Sequence, residues 1–69
     1  MNSDQVKALL LDTAECSTDF SVVLSGKASK VANGIYKPAT REIVLHNRNF
    51  DDDVQLVYTA LHEYAHHLV

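Results

Sequence analysis

The chain has one cysteine, one proline, two glycines, fewer basic than acidic residues and no apolar run longer than four residues. With nothing inside the chain for Cys16 to pair with, a disulfide-stapled secreted mini-protein is excluded and a reducing compartment is favoured. Cys16 itself reads as a small, half-buried apolar residue. Six basic residues against nine acidic ones give a net charge of −3, so no basic face advertises a nucleic acid partner. The longest apolar stretch, Ala8 to Leu11, is far too short to span a membrane. No basic-then-apolar leader opens the sequence, and the cytoplasm is the expected compartment. Low-complexity segments are also missing, and a hydrophobic content of 46% with 22% charged residues is that of a folded chain.

Length is the other scarcity. Sixty-nine residues exclude two independent domains. A chain of this size buries only about 60% of the surface it exposes when unfolded, so a metal or a partner would be a welcome staple.

What is present falls into a helix, a few strands and a helix. Ser3 can cap a first helix with Asp4 in its opening turn, and Val6, Leu9, Leu10 and Ala14 recur at helical spacing, predicting a helix from Asp4 to about Glu15. Phe20, Val22 and Leu24 alternate with Ser21, Val23 and Ser25 in a strand pattern that Gly26 ends. A second short strand is expected at Val31 to Tyr36, where Asn33-Gly34 reads as a hairpin turn or a bulge. Lys37 to Thr40 forms a turn around Pro38, and Arg41 to Leu45 is a third β-rich run. Asp51 to Asp53 suit a helix cap and first turn, followed by Val54, Val57, Tyr58, Leu61, Ala65 and Leu68 at helical spacing. The expected fold class is α+β: an N-terminal helix, a small two- or three-stranded twisted sheet and a C-terminal helix.

The last helix carries His62-Glu63-Tyr64-Ala65-His66, the pattern H-E-x-x-H. Residues four apart share a helix face with Cβ atoms about 5–6 Å apart, so two imidazoles can hold one zinc ion at about 2.0–2.1 Å. Glu63 is turned roughly 60–100° from both ligand directions, beside the metal's open position. That is the placement of a general base: the metal lowers the pKa of water, and the carboxylate takes its proton as the water attacks a polarised carbonyl. On a helical wheel the apolar residues Val54, Val57, Tyr58, Leu61, Ala65 and Leu68 form one arc, predicting a buried stripe with His62 and His66 at its border. His67 points about 140° from His62, too far round for the same metal. His67 and His46 read as solvent-facing or loop histidines. Tyr36, Tyr58 and Tyr64 read as packing residues, Tyr64 the least explained of them. Arg41 and Glu42 read as an exposed charge pair, and no nucleophile motif or phosphate loop is present.

Leu61-His62-Glu63-Tyr64-Ala65-His66-His67-Leu68, preceded by Gly34-Ile35-Tyr36 and Ile43-Val44-Leu45-His46-Asn47, resembles the active-site half of zincin metallopeptidases, most nearly the ImmA/IrrE-type and SprT-like groups. The resemblance covers about Val31 to Val69. It implies a twisted sheet packed on the active-site helix, Zn2+ held by His62 and His66, Glu63 as catalytic base, and an edge strand that aligns an extended protein or peptide substrate. Arg41 to Leu45 is the candidate for such strand addition. It also implies a third ligand, glutamate or histidine, downstream of His66, whereas the chain stops three residues later. His46, Asp51 or Asp52 in that role would depart from the pattern. Residues 1–69 are therefore expected to be a single, partial zincin-like domain lacking its C-terminal portion.

The expected function is zinc-dependent peptide-bond hydrolysis, with a regulatory protein as a candidate substrate. The alternatives are a non-catalytic zinc-binding or interaction module, with self-association supplying further ligands, and an inactive remnant.

Overall fold

The computed structural model describes Met1–Val69, ordered as α1 (Ser3–Thr13), β1 (Ser21–Leu24), β2 (Gly34–Lys37), β3 (Glu42–Leu45), a 3-10 turn (Asn47–Asn49) and α2 (Asp53–Leu68). The fold is α+β, and the sheet has three strands in the order β1-β3-β2, β1 parallel and β2 antiparallel to β3. Register places Val22, Ile43 and Tyr36 in one row and Leu24, Leu45 and Gly34 in the next, all on the same face. Both helices cover that face, α1 over β1 and α2 over β2 and β3. Ile43, Leu45 and Phe20 meet Val6 and Leu10 of α1 and Leu56, Ala60 and Tyr64 of α2 in one core.

Local chemistry explains the element ends. Asn2, one residue before the expected cap, accepts from the Gln5 amide while the Gln5 side chain accepts from the Asn2 amide, a reciprocal capping box. α1 stops at Thr13, short of Glu15, and the Tyr64 hydroxyl donates to the Ala14 carbonyl just beyond it. Asp52 caps α2 by accepting from Gln55, with Asp53 in its first turn, as the aspartate run implies. Asn33-Gly34 is neither hairpin turn nor bulge: Gly34 opens β2, and the hairpin turn is Pro38–Arg41. Arg41 sits there at φ 55, outside the strand.

Two expectations are overturned. The buried arc of α2 is Leu56, Ala60, Glu63 and Tyr64, whereas Val54 and Tyr58 are 78% and 75% exposed and Ala65 and Leu68 also face outward. Glu63 and His67, both polar, lie on the core-facing side and pull the apolar average of the helix away from it. Strand addition at Arg41–Leu45 is also excluded, since β3 is the central strand with both edges already paired. The free edge beside α2 belongs to β2.

Candidate metal centre

His62, Glu63 and His66 lie in the C-terminal half of α2, with one potential ligand atom from each within 4.8 Å of the others. Both imidazoles are exposed, their ring centroids 5.2 Å apart and nearly perpendicular. Donors about 2.0–2.1 Å from a tetrahedral ion stand roughly 3.4 Å from one another, so rotation of these two exposed side chains is enough to close the group. Two imidazoles and a carboxylate are borderline-soft and hard donors that suit a divalent metal ion.

Glu63 is the chain's one buried charged residue, 7% exposed. No protein group donates a hydrogen bond to its carboxylate, and the nearest imidazole nitrogen, His66 Nε2, is 4.0 Å away. Nevertheless no side-chain polar atom is both fully enclosed and unpartnered, so the carboxylate tip reaches solvent. It does so in the crevice between α2 and β2. On one side Glu63 and His62 line a depression with Asn33, Gly34, Tyr58 and Thr59, and on the other Glu63 and His66 line one with Gly34, Ile35, Tyr36 and Pro38. The two share Gly34 and Glu63, making a groove that follows β2 past all three residues.

Gly34 sets the width of that groove. A Cβ there would stand 3.1 Å from the Val44 carbonyl oxygen, 3.1 Å from Leu45 Cδ2 and 3.2 Å from Thr59 Cγ2, so any side chain would press on β3 and α2 where glycine leaves room. Backbone alternation gives the groove a hydrogen-bonding wall. His46 N–H donates to the Asn33 carbonyl at 2.9 Å, which turns the peptide groups of Ile35 and Lys37 toward β3 and those of Gly34 and Tyr36 outward.

His67 is neither a ligand nor a solvent-facing residue, correcting the latter expectation. Its Nε2 lies 3.0 Å from the Thr18 carbonyl and its Nδ1 2.7 Å from the Tyr36 hydroxyl. A carbonyl only accepts, so Nε2 carries a proton, and in the neutral ring Nδ1 accepts from Tyr36. The ring also packs on Phe20 and Tyr64, and the Tyr36–His67 bond ties β2 to α2 beside His66. Tyr64 is fully packed, its phenol pushed up to about 12 by burial first and then by the hydrogen bond and charge of Cys16 and the charge of Glu15. Tyr36 is likewise a packing residue, but Tyr58 is not.

The other titratable candidates lie elsewhere. His46 Nδ1 pairs with Ser25 Oγ at 3.0 Å. Asp52 caps the far end of α2, ten residues and about 15 Å from His62, and Asp51 precedes it. Cys16 is half-buried with its thiol on the Thr18 carbonyl, as its composition reading implies. No helix is long and apolar enough to cross a membrane.

Fold and site together define a two-layer α+β unit with a His-Glu-His group able to hold a metal ion. Comparison with protein-family models, curated proteins and solved structures returns no match for the chain.

Proposed function

We propose that the chain is a zinc-dependent peptidase unit of zincin type, with His62 and His66 as metal ligands and Glu63 as general base. The observation that carries this reading is Glu63: a carboxylate with no hydrogen-bond donor, held at the floor of a groove between two exposed histidines and the free edge of a strand. A purely structural helix gains nothing from that residue in that place. Zinc, when bound, would supply a Lewis acid for the scissile carbonyl and lower the pKa of water at the site.

The chain's own residues supply the rest. Outward peptide groups of Gly34 and Tyr36 pair with an extended polypeptide, adding it as a strand at the β2 edge. Its scissile bond then lies over Glu63. The Glu63 carboxylate takes a proton from the attacking water and returns it to the departing amide nitrogen, so water adds across the broken C–N bond. Tyr36 and His67 hold β2 and α2 at fixed separation. A regulatory protein in the cytoplasm is the substrate class proposed. In the test, cleavage of an unstructured protein such as casein should require zinc and stop with chelator. Cleavage that persists in chelator contradicts the reading.

One observation favours a second reading, a non-catalytic metal-binding module completed by self-association. Val54, Tyr58, Leu61, Ala65 and Leu68 recur at alternating spacings of four and three, the seam of paired helices, and His62 flanks it. Sedimentation with and without zinc separates the readings: a monomer in both conditions removes the second.

A further inference from the structure

Beyond the groove at Glu63, a second depression of about 320 Å³ opens toward the N-terminal end of α2, walled by Phe50, Val54 and Tyr58 with Gln55 at its rim. It is continuous with the site: Asn33, Tyr58 and Thr59 line both this depression and the one holding His62 and Glu63. We infer that it is a recognition pocket for one large apolar side chain of the extended peptide whose bond lies over Glu63. This rests on the peptidase reading for its register, and on the following observations for its chemistry.

At its back the Asn49 side chain is already engaged. Asn49 Nδ2 donates to Asn33 Oδ1 at 3.0 Å and to the Ser29 carbonyl at 2.8 Å, while Asn49 Oδ1 accepts from Ser29 N–H at 2.8 Å. These bonds clamp the segment before β2 onto the 3-10 turn and leave apolar walls for a ligand. Val54 and Tyr58, each about three-quarters exposed, have no role in the core. The spacing also fits. Thr59 and Tyr58 precede Glu63 by four and five residues, or about 6.0–7.5 Å along the helix axis. Side chains on one face of an extended chain repeat at roughly 6.4–6.8 Å. The far wall at Val54 is nine residues from Glu63, about 13.5 Å, so a peptide seated on β2 with its bond over Glu63 drops its first or second same-face neighbour into this pocket.

The test uses the full 69-residue chain and octapeptides of alanine carrying Phe, Leu, Ser or Asp at one central position, bound to 15N-labelled Glu63→Gln protein with zinc. The Phe and Leu peptides should bind about tenfold more tightly than the Ser peptide, the size expected of half-burying one large apolar side chain. Amide shifts should centre on Phe50, Val54 and Tyr58. Val54→Asp should erase the preference, its aspartate being well tolerated in a helix first turn. Val31→Asp, on an exposed loop residue outside the groove, should keep it. Equal affinity for Phe and Ser, shifts elsewhere, a preference that survives Val54→Asp, or no binding overturns the pocket. Cleavage of the same peptides by unsubstituted protein separates the two claims. Indiscriminate cleavage removes the pocket alone, and selective binding without cleavage removes the peptidase reading alone.

Discussion

Replacing Glu63 should make the metal-free chain more stable while abolishing the proposed hydrolysis. The Glu63 side chain is 10% exposed, receives no hydrogen bond, and stands 4.0 Å from an imidazole that is charged only when protonated. A buried polar group left without partners costs about 1–3 kcal/mol, and more if charged. Replacing buried ionic groups with apolar ones of similar volume often stabilises by about 1–4 kcal/mol. Taking the low end because the tip touches water, Glu63→Leu should add about 1–2 kcal/mol, and Glu63→Gln, which keeps the shape without the charge, about 1 kcal/mol or less. For a domain of this size each kcal/mol moves the melting temperature by about 4–8 °C. Circular dichroism melts in chelator at neutral pH should place Glu63→Leu roughly 4–16 °C above the unsubstituted chain. A variant that melts at or below it would show that the carboxylate supports the fold, and the inference that its place is functional would fail.

Other expectations follow from the same contacts. His62→Ala and His66→Ala change exposed side chains and should shift metal-free stability by no more than about 0.5 kcal/mol. Zinc at about 100 times its dissociation constant should stabilise the unsubstituted chain by about 2.7 kcal/mol and neither variant comparably, measured by melts with and without the metal. Gly34→Ala sets a methyl group 3.1 Å from a backbone oxygen and should cost about 1–3 kcal/mol by denaturant titration, with a widened groove and weaker peptide binding. The Tyr64 hydroxyl stays protonated in the folded chain to about 12, whereas the unfolded chain ionises from about 10. Stability should therefore be intact below pH 10 and fall as pH rises from 10 toward 12, and Tyr64→Phe should flatten that fall relative to the unsubstituted chain.

The order of elements was legible because helix and strand periods differ and the aspartate run marks the start of α2. That His62 and His66 come together was legible for a simpler reason: four residues on a helix guarantee a shared face whatever surrounds it. The side of α2 that faces the sheet was not. Two arcs of that helix are apolar, and the choice between them is made by Gly34, which lets Thr59 and its neighbours settle on β2, and by Tyr64 reaching the end of α1. Neither contact leaves a local pattern. Strand order was hidden for the same reason, since the parallel pairing of β1 with β3 joins residues about twenty apart through no turn signal. That pairing is why β2, rather than β3, presents the free edge. His67 was misplaced because histidine is polar by composition, while its partners Tyr36 and Thr18 lie 31 and 49 residues away.

The central claim, that Glu63 turns a metal-holding helix into a hydrolase, is tested most directly by loading the unsubstituted chain and Glu63→Gln with zinc and following peptide cleavage by mass spectrometry. Equal zinc content with cleavage only by the unsubstituted chain is the expected result. Equal cleavage by both, or zinc bound by both with no cleavage by either, contradicts it.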